Sequence, residues 1–246
     1  MKIIKNIIIA ILKVFGFKIV KIDYEFATGK IEKNKIIDEL KWIQKKNIKT
    51  IIDIGANQGQ FSEKMRILFP ESKIISFEPL KEAYQILKKN FINDKNYEVY
   101  NIALGNNKGV VEIEKNEYSP SSSLLEMNLA HKNNFDFAIN TEKVEINIDL
   151  LDNIIKPSDI ERPSLMKIDV QGYEDQVING STNTLKNIDI IICEMSYLEL
   201  YKNQILFDKL YETFITLGFS YHGNLEQLHS PIDNEILQGD AIFIKI

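Results

Sequence analysis

Four short apolar segments, each carrying an acidic residue at or near its end, most constrain the fold of this chain. The apolar runs are continuous rather than alternating, which is typical of strands buried on both faces of a parallel sheet. Segments with helical periodicity lie between them. This alternation predicts an α/β fold with a mainly parallel sheet covered by helices on both faces. The four segments are Thr50–Ile54, Lys73–Pro79, Ser164–Gly172 and Ile188–Ser196.

The remaining segments extend this pattern. Two late apolar runs, "GFSYHG" and "ILQGDAIFIKI", follow each other without a helix between them, so we expect them to pair antiparallel at the sheet edge. Regular periodicity fails between Asn116 and Lys143, which predicts a long functional loop. The other predicted elements are strands at Tyr97–Gly105 and Gly109–Lys115 and helices at Gln58–Leu68, Lys81–Phe91, Glu174–Leu185 and Gln204–Leu217.

The composition excludes several classes of function. The chain has 246 residues, enough for one large α/β domain. Its formal net charge of −5 provides no overall positive field for nucleic acid. The single cysteine, Cys193, excludes an intrachain disulfide and a multi-cysteine zinc site, and it fits a reducing compartment. We therefore expect a cytoplasmic protein that binds no nucleic acid.

The first 48 residues are predicted to form an N-terminal helical extension before a domain at 49–246. Within residues 1–22, isoleucines recur at helical spacing with lysines among them, which indicates an amphipathic helix. The uncharged run Ile7–Leu12 is far too short to span a membrane. Two interpretations stay open. The helix makes a peripheral contact with the inner membrane face or a partner, or it packs on its own domain.

Acidic residues stand at the ends of the apolar segments: Asp53, Glu78, Asp169 and Glu194. An unpaired buried carboxylate is costly, and open parallel sheets bind ligands beyond the carboxyl ends of their strands. A single acid of this kind is readily explained as a helix cap or a partner for a lysine. Four at equivalent ends indicate a shared cleft.

The turn after the first strand, "DIGANQG", has the backbone freedom of a ligand-binding loop. Gly55 allows a tight turn, Gly59 allows the helix to start close to a ligand, and Asn57 is tolerant of positive φ. N–H groups at such a helix start receive anionic or polar groups. The turn lacks the Gly-Lys-Ser/Thr ending of a P-loop and two of the three glycines of a dinucleotide-binding loop.

Glu78 narrows the choice of cofactor. It follows Asp53 by about 25 residues, where such folds place an acid that accepts both ribose hydroxyls. An acid at this position selects an unphosphorylated ribose. The residues themselves therefore leave NAD and S-adenosylmethionine (SAM) as the candidates.

Six motifs in a fixed order carry a resemblance to a known family: "DIGANQGQFS", "FEP", "NIALG", "SPSSSL", "KIDVQGYE" and "IICEMS". Together they resemble the FkbM-type SAM-dependent methyltransferases over residues 49–246. The resemblance implies a Rossmann-like class I methyltransferase fold with a seven-stranded sheet and a reversed last hairpin. It also implies methyl transfer from SAM to an oxygen of a sugar, glycan precursor or natural product. The chain departs from the family at Gln171, where a glutamate is common.

The resemblance also implies positions for the cofactor. A serine-rich loop would close over SAM, with an ordinary polar surface loop as the alternative. The implied residues are Asp53, Gly55, Asn57 and Gly59 at the methionine part, Glu78 at the ribose, Asn101, Ala103 and Leu104 near the adenine, and Ser121, Ser122 and Ser123 in the loop.

Asp169 is the first candidate for a residue that positions or deprotonates the acceptor hydroxyl. Glu194 is expected to face the same cleft as Asp169. Two interpretations stay open. The pair binds Mg²⁺ or another divalent cation that orients a sugar diol, as in some related sugar methyltransferases, or Asp169 positions the acceptor or acts as a base without metal. His222 is a further candidate base because histidine titrates near neutral pH, the alternative being a surface or structural histidine.

Three hypotheses for function follow. The first is a SAM-dependent O-methyltransferase acting on a hydroxyl of a sugar, glycan precursor or related natural product. The second is an NAD-dependent oxidoreductase on a similar sheet, against which the missing glycines argue. The third is a non-catalytic SAM-binding scaffold held at a membrane by its N-terminal helix.

Overall fold

The computed structural model describes three stretches of the chain. The amphipathic helix expected within residues 1–22 lies outside them, as does most of the predicted N-terminal extension. The chain divides into two compact units, residues 1–42 and 43–246, and every strand of the described residues lies in the second unit. The described stretches are residues 40–116, 119–135 and 140–246.

The strands and helices follow one another largely as predicted. The strands are β1 (Thr50–Ile54), β2 (Lys73–Phe77), β3 (Tyr97–Tyr100), β4 (Ala103–Leu104), β5 (Gly109–Asn116), β6 (Thr141–Asp149), β7 (Ser164–Ile168), β8 (Ile190–Ser196), β9 (Phe219–His229) and β10 (Ile236–Lys245). The α-helices are α1 (Lys41–Gln44), α2 (Gln60–Leu68), α3 (Lys81–Asn90), α4 (Leu129–Asn134), α5 (Leu151–Ile154), α6 (Glu174–Asn179) and α7 (Phe207–Thr216). Short 3₁₀ segments occupy Ser119–Ser121, Pro157–Asp159 and Thr184–Asn187.

The main sheet has seven strands in the order β3-β2-β1-β7-β8-β10-β9. All neighbours run parallel except at β10, which is antiparallel to both β8 and β9. From β1, strands β2 and β3 follow toward one edge of the sheet. From β7, strands β8, β10 and β9 follow toward the other edge. Right-handed crossovers therefore place the connecting helices on opposite faces. The predicted seven-stranded, mostly parallel sheet with an antiparallel last hairpin is confirmed.

Burial explains why the central strands carry continuous apolar runs. All five residues of β1 are buried, and Ile52 lies in register with Ile75 of β2 and Met166 of β7. These three side chains have no exposed surface. Fully burying an aliphatic side chain contributes about 1.5–3 kcal/mol, so rows of this kind fix the register of the sheet.

A second sheet of three strands, in the order β4-β6-β5, was not predicted. The single strand expected at Tyr97–Gly105 is two strands: β3 pairs with β2 of the main sheet, and β4 pairs with β6. The irregular loop expected between Asn116 and Lys143 contains α4 and the start of β6. The first half of β6 is largely exposed and polar, and for this reason its sequence resembles a loop.

The helix expected at Glu174–Leu185 is also shorter than predicted. It ends at Asn179, with Gly180 at its C-terminal cap, and the chain continues as the 3₁₀ segment Thr184–Asn187. Among the described residues, no helix has the length and apolar character needed to cross a membrane.

Candidate active site

A cavity of about 280 Å³ opens beyond the carboxyl ends of β1, β2, β7 and β8. This is the place where the strand order reverses between β1 and β7, the usual ligand position in such sheets. Four residues expected at the site do not line it: Gly59, Asn101, Ser121 and His222. The expected residues that do line it are Asp53, Gly55, Asn57, Glu78, Ala103, Leu104, Ser122, Ser123, Asp169 and Glu194.

The turn after β1 has the conformation that its sequence predicts. Gly55 has φ +79°, and a Cβ atom at this position would lie 1.8 Å from the carbonyl oxygen of Asp169. Only glycine fits such a close approach. Asn57 has φ 48°, in the left-handed region, and its backbone N–H donates to Oε2 of Glu78 at 2.9 Å.

The structure gives a different reason for a glycine at position 59 from the one expected. It has φ +100°, and a Cβ atom there would lie 2.7 Å from Cδ1 of Leu87 and 2.9 Å from the ring of Phe91. Its missing side chain therefore lets the start of α2 pack against the α3 region. The expectation that Gly59 brings the helix close to a ligand does not match this location.

Glu78 directly follows β2 and is 5% exposed. Its Oε1 accepts from the backbone N–H of Leu80 at 2.8 Å, and its Oε2 accepts from that of Asn57. Burial raises the pKa of Glu78 to about 7, partly offset by these two hydrogen bonds. A carboxylate has about four lone-pair sites, so acceptor capacity remains on the cavity side.

Asn101 supports Glu78 from outside the cavity. Its side-chain amide donates to the backbone oxygens of Glu78 at 2.9 Å and Pro79 at 2.8 Å. It therefore holds the connection between β2 and α3, and its contact with a ligand in the cavity would be indirect. Ala103 and Leu104 of β4 do line the cavity.

Asp53 lies inside β1 and is 1% exposed. Its Oδ2 accepts from the hydroxyl of Ser62 at 2.7 Å. The Ser62 hydroxyl lies 3.1 Å from that of Ser76, which in turn accepts from the Tyr97 hydroxyl at 2.7 Å. Burial raises the pKa of Asp53 to about 6 because desolvation disfavours its charged form.

Asp169 directly follows β7 and is paired with a lysine that sequence reasoning did not single out. Lys167 Nζ lies 2.8 Å from Oδ2 of Asp169 and 5.4 Å from the centre of the Phe61 ring. Burial acts to raise the pKa of Asp169, but the charge and hydrogen bond of Lys167 outweigh it and lower that pKa. Asp169 is thus held in its ionised form.

Glu194 lies in β8, beside Asp169. The parallel register pairs Ile168 of β7 with Cys193 of β8, so the residues that follow them, Asp169 and Glu194, are neighbours. Burial, and then the charge of Asp169, raise the pKa of Glu194 well above its ordinary value. The side-chain amide of Gln171 connects the two carboxyl groups. Its Nε2 donates to Oδ1 of Asp169 at 3.0 Å and to Oε2 of Glu194 at 2.7 Å.

The serine-rich loop forms one wall of the cavity. The Ser119 hydroxyl donates to Oδ1 of Asn57 at 3.2 Å, and the Ser123 hydroxyl donates to the backbone oxygen of Gln171 at 2.6 Å. Ser122 Oγ accepts from the backbone N–H of Asn116. Ser121 does not line the cavity, and its carbonyl accepts from the Tyr201 hydroxyl at 3.3 Å.

His222 lies in β9, the edge strand, which pairs with β10 and not with β8. Its side chain is exposed, and its Nε2 lies 3.0 Å from the Ser220 hydroxyl. The structure therefore does not bring His222 together with Asp169 and Glu194, and it takes no part in the mechanism proposed below.

The charged groups of the site do not fit a divalent cation. Within the described stretches of the chain, no group of three or more histidine, cysteine, aspartate or glutamate side chains is placed to hold a metal ion. At Asp169, an ammonium group and an amide N–H already occupy the positions where a cation would bind. A nearby ammonium repels a cation.

The chemical character of the residues that line the cavity fits SAM. Glu78 offers a buried carboxylate to ribose hydroxyls, and the neighbouring wall carries apolar groups for a flat base. These apolar wall residues are Phe77, Leu80, Ile102 and Leu104.

The strand order, the reversed last hairpin and the cavity beside the β1 turn define a Rossmann-like fold of the class I methyltransferase type. Residues 53–221 match the methyltransferase FkbM domain. This match covers more than half of the chain, and the chain therefore belongs to the FkbM family of SAM-dependent methyltransferases. The family indicated by the ordered motifs is confirmed.

Curated relatives are more distant. The chain is 25% identical over 162 residues to the 2-O-methyltransferase NoeI of Sinorhizobium fredii, covering 63% of this chain and 66% of that protein. It is 22% identical over 144 residues to the hexuronic acid methyltransferase AglP of Haloferax volcanii, covering 58% and 54%. The chain thus spans less than two thirds of the length of these relatives. A solved rRNA methylase from Streptococcus thermophilus aligns with a TM-score of 0.45 and 11% identity, over 88% of this chain and 95% of that one.

Proposed function

We propose that this chain is a SAM-dependent O-methyltransferase that acts on a hydroxyl of a sugar or sugar-like acceptor. The observation that carries the proposal is the pair of carboxyl groups, Asp169 and Glu194, in the wall of the cavity beside the turn at Gly55. One of them is held ionised by Lys167, as a group that receives a proton requires.

The proposed binding of the cofactor uses the β1 and β2 end of the cavity. SAM, when bound, supplies an electrophilic methyl group on a sulfonium, and its sulfur keeps the electron pair of the broken C–S bond as S-adenosylhomocysteine. Glu78 accepts hydrogen bonds from the ribose hydroxyls, and Ala103 and Leu104 contact the adenine. Asp53, Gly55 and Asn57 surround the methionine part. Gly59 and Asn101 act one step away, through helix packing and through the backbone of Glu78.

The proposed chemistry uses the β7 and β8 end. Asp169 accepts a hydrogen bond from the acceptor hydroxyl and takes its proton as the oxygen is methylated. Lys167 and Gln171 hold the carboxylate in place, so the acceptor oxygen is oriented toward the methyl group. Glu194, whose raised pKa favours its neutral form, offers a second hydrogen-bonding group to the acceptor.

The names of two relatives support a sugar-like acceptor. One is described as a 2-O-methyltransferase and another as a hexuronic acid methyltransferase. A polar wall containing two carboxyl groups and several serine hydroxyls suits the hydroxyl groups of such a molecule.

Methyl transfer from labelled SAM to a panel of sugars and nucleotide-sugars tests this proposal. We expect incorporation into at least one hydroxyl-bearing acceptor, and loss of incorporation in Asp169→Asn. Calorimetric titration with SAM and with NAD is the companion experiment. Binding of NAD but not SAM would support the oxidoreductase hypothesis, and binding of SAM without any methylated acceptor would support the scaffold hypothesis.

The N-terminal extension has a separate proposal. We propose that residues 1–22 give the protein a peripheral contact with the cytoplasmic face of a membrane, since apolar residues and lysines alternate there at helical spacing. Sedimentation with anionic liposomes, comparing the full chain with one lacking residues 1–22, measures this contact. Equal pelleting of the two proteins would reject it.

A further inference from the structure

Gln171 makes more contacts between functional elements than its place in a loop suggests. It follows Asp169 by two residues and has φ 56°, the left-handed region that is uncommon for residues other than glycine. The backbone carbonyl of Gln171 accepts from the Ser123 hydroxyl of the serine-rich loop at 2.6 Å. A strained backbone of this kind persists where the surrounding contacts require it.

The side-chain amide of Gln171 has partners at both ends. Its Nε2 lies 3.0 Å from Oδ1 of Asp169 and 2.7 Å from Oε2 of Glu194, and its Oε1 accepts from the Tyr201 hydroxyl at 2.8 Å. An amide offers two N–H donors and one oxygen. The nitrogen faces the two carboxyl groups and the oxygen faces a hydroxyl donor, so this orientation satisfies every group.

We propose that the Gln171 amide takes the place of a divalent cation between Asp169 and Glu194, which makes Gln171 a positioning residue for a carboxyl pair that works without metal. The mechanistic part of this inference rests on the proposed function. Mg²⁺ and Ca²⁺ need six or more oxygen ligands. Here N–H donors and the Lys167 ammonium fill the space around Asp169 instead.

Replacing the Gln171 amide by a carboxyl group gives this inference its test. A glutamate in place of Gln171 would put a third carboxylate beside Asp169 and Glu194, replacing N–H donors by oxygen ligands. The Lys167 ammonium remains in this variant and opposes cation binding. We nevertheless expect the third carboxylate to give Gln171→Glu a higher affinity for a divalent cation than the native chain has.

Mn²⁺ titration of the full chain, followed by the loss of the free-ion electron paramagnetic resonance signal, measures this affinity. We expect Gln171→Glu to bind one Mn²⁺ at least about tenfold more tightly than the native protein. The double variant with Asp169→Asn is expected to lose the gain. Binding by the native protein that equals or exceeds that of Gln171→Glu would overturn the proposal.

A kinetic experiment tests the positioning role on an acceptor that the protein methylates. We expect Gln171→Ala to lower kcat about 10- to 100-fold with the KM for SAM unchanged within about threefold, because the amide orients the groups that face the acceptor. Tyr201→Phe keeps the buried ring and removes the hydroxyl that donates to Gln171 Oε1 and, at longer distance, to the Ser121 carbonyl, so a smaller loss of kcat is expected.

Gln176→Ala is the matched control, since the Gln176 side chain donates to Asp175 and does not line the cavity. Equal kcat values for Gln171→Ala and Gln176→Ala would reject the positioning role. The Mn²⁺ titration needs no acceptor. If no sugar is methylated, the O-methyltransferase proposal fails while the titration still decides whether the amide replaces a cation.

Discussion

The two ends of the cavity hold their carboxyl groups in different ways. At the β1 and β2 end, Asp53 accepts from a serine hydroxyl and Glu78 accepts from two backbone N–H groups. At the β7 end, Asp169 contacts the ammonium of Lys167. Burial dominates at the first end and raises both pKa values. At the second end the charge of Lys167 opposes burial and lowers the pKa of Asp169, whereas burial raises the pKa of Glu194 beside it.

This difference fits the proposed roles of the two ends. At the first end, backbone N–H groups hold Glu78 in place and leave it able to accept hydrogen bonds from neutral hydroxyls, as its proposed contact with the ribose requires. The ammonium keeps Asp169 ionised and able to take a proton. The side chains of Lys167 and Asp169 are half-buried, 13% and 24% exposed. Such a pair costs desolvation energy and is weak evidence for stability, which fits the catalytic use proposed for it.

Removal of the charge of Asp169, at the β7 and β8 end of the cavity, has the largest expected effect. We expect Asp169→Asn to lower the rate of methyl transfer about 10²- to 10⁴-fold, the range for losing a general base. The affinity for SAM, measured by calorimetry, is expected to stay within about threefold of the native value. A turnover equal to that of the native protein would remove Asp169 from the mechanism.

Gly55 is the point where the two ends meet, and its substitution is expected to damage both. A Cβ atom would lie 1.8 Å from the Asp169 carbonyl oxygen in a residue with φ +79°. We expect Gly55→Ala to lower the free energy of unfolding by about 3 kcal/mol or more, measured by urea denaturation. Ala56→Gly in the same turn is the control, and a larger loss there would contradict the steric explanation.

Glu78 gives the corresponding test at the β1 and β2 end of the cavity. Above pH 7, where the Glu78 carboxyl group is ionised, we expect Glu78→Gln to weaken SAM binding about 10- to 100-fold, because a charged acceptor for two hydroxyls is lost. Asn101→Ala removes support for the backbone of Glu78 from outside the cavity, and a change in Kd below about threefold is expected. Equal losses in the two variants would mean that Glu78 acts only through the loop.

The smallest expected effect is on the pH dependence of stability. Glu78 has a pKa raised from 4.5 to about 7 in the folded protein, so between these values the native state binds more protons than the unfolded chain. The free energy of unfolding therefore decreases as the pH rises through this window. Asp169, whose pKa is lowered, loses its contribution only at lower pH.

Denaturation of Glu78→Gln over the same pH range measures this contribution. We expect a weaker decrease than in the native protein, because the amide does not titrate. A slope identical to the native one would show that the raised pKa of Glu78 does not affect stability.

The main sheet was predictable because burial on both faces leaves continuous apolar runs in the sequence, as in β1 and β8. The second sheet was not, because half of β6 is exposed and polar. The acids of the site were found by their place at strand ends. Asn57 was recognised from its tolerance of positive φ, and its φ of 48° agrees.

Other parts of the site left weaker signals. Lys167 was detectable, since a charged residue in a buried strand two positions before Asp169 points to the same face of the sheet. Tyr201 gave no local signal because it reaches Gln171 across 30 residues of sequence. The roles of Gly59 and Asn101 depend on side-chain and backbone contacts with α3 and Pro79 that spacing alone does not reveal.

Single-turnover methyl transfer at rising SAM concentration, in Glu78→Gln and Asp169→Asn side by side, tests the proposed roles of the two ends most directly. Rate constants are taken with a saturating acceptor. We expect saturating SAM to restore Glu78→Gln to within about threefold of the native rate constant, while Asp169→Asn stays about 10²-fold or more below it. Restoration of Asp169→Asn by SAM, or failure of Glu78→Gln to recover, would show that the two ends do not have separate roles.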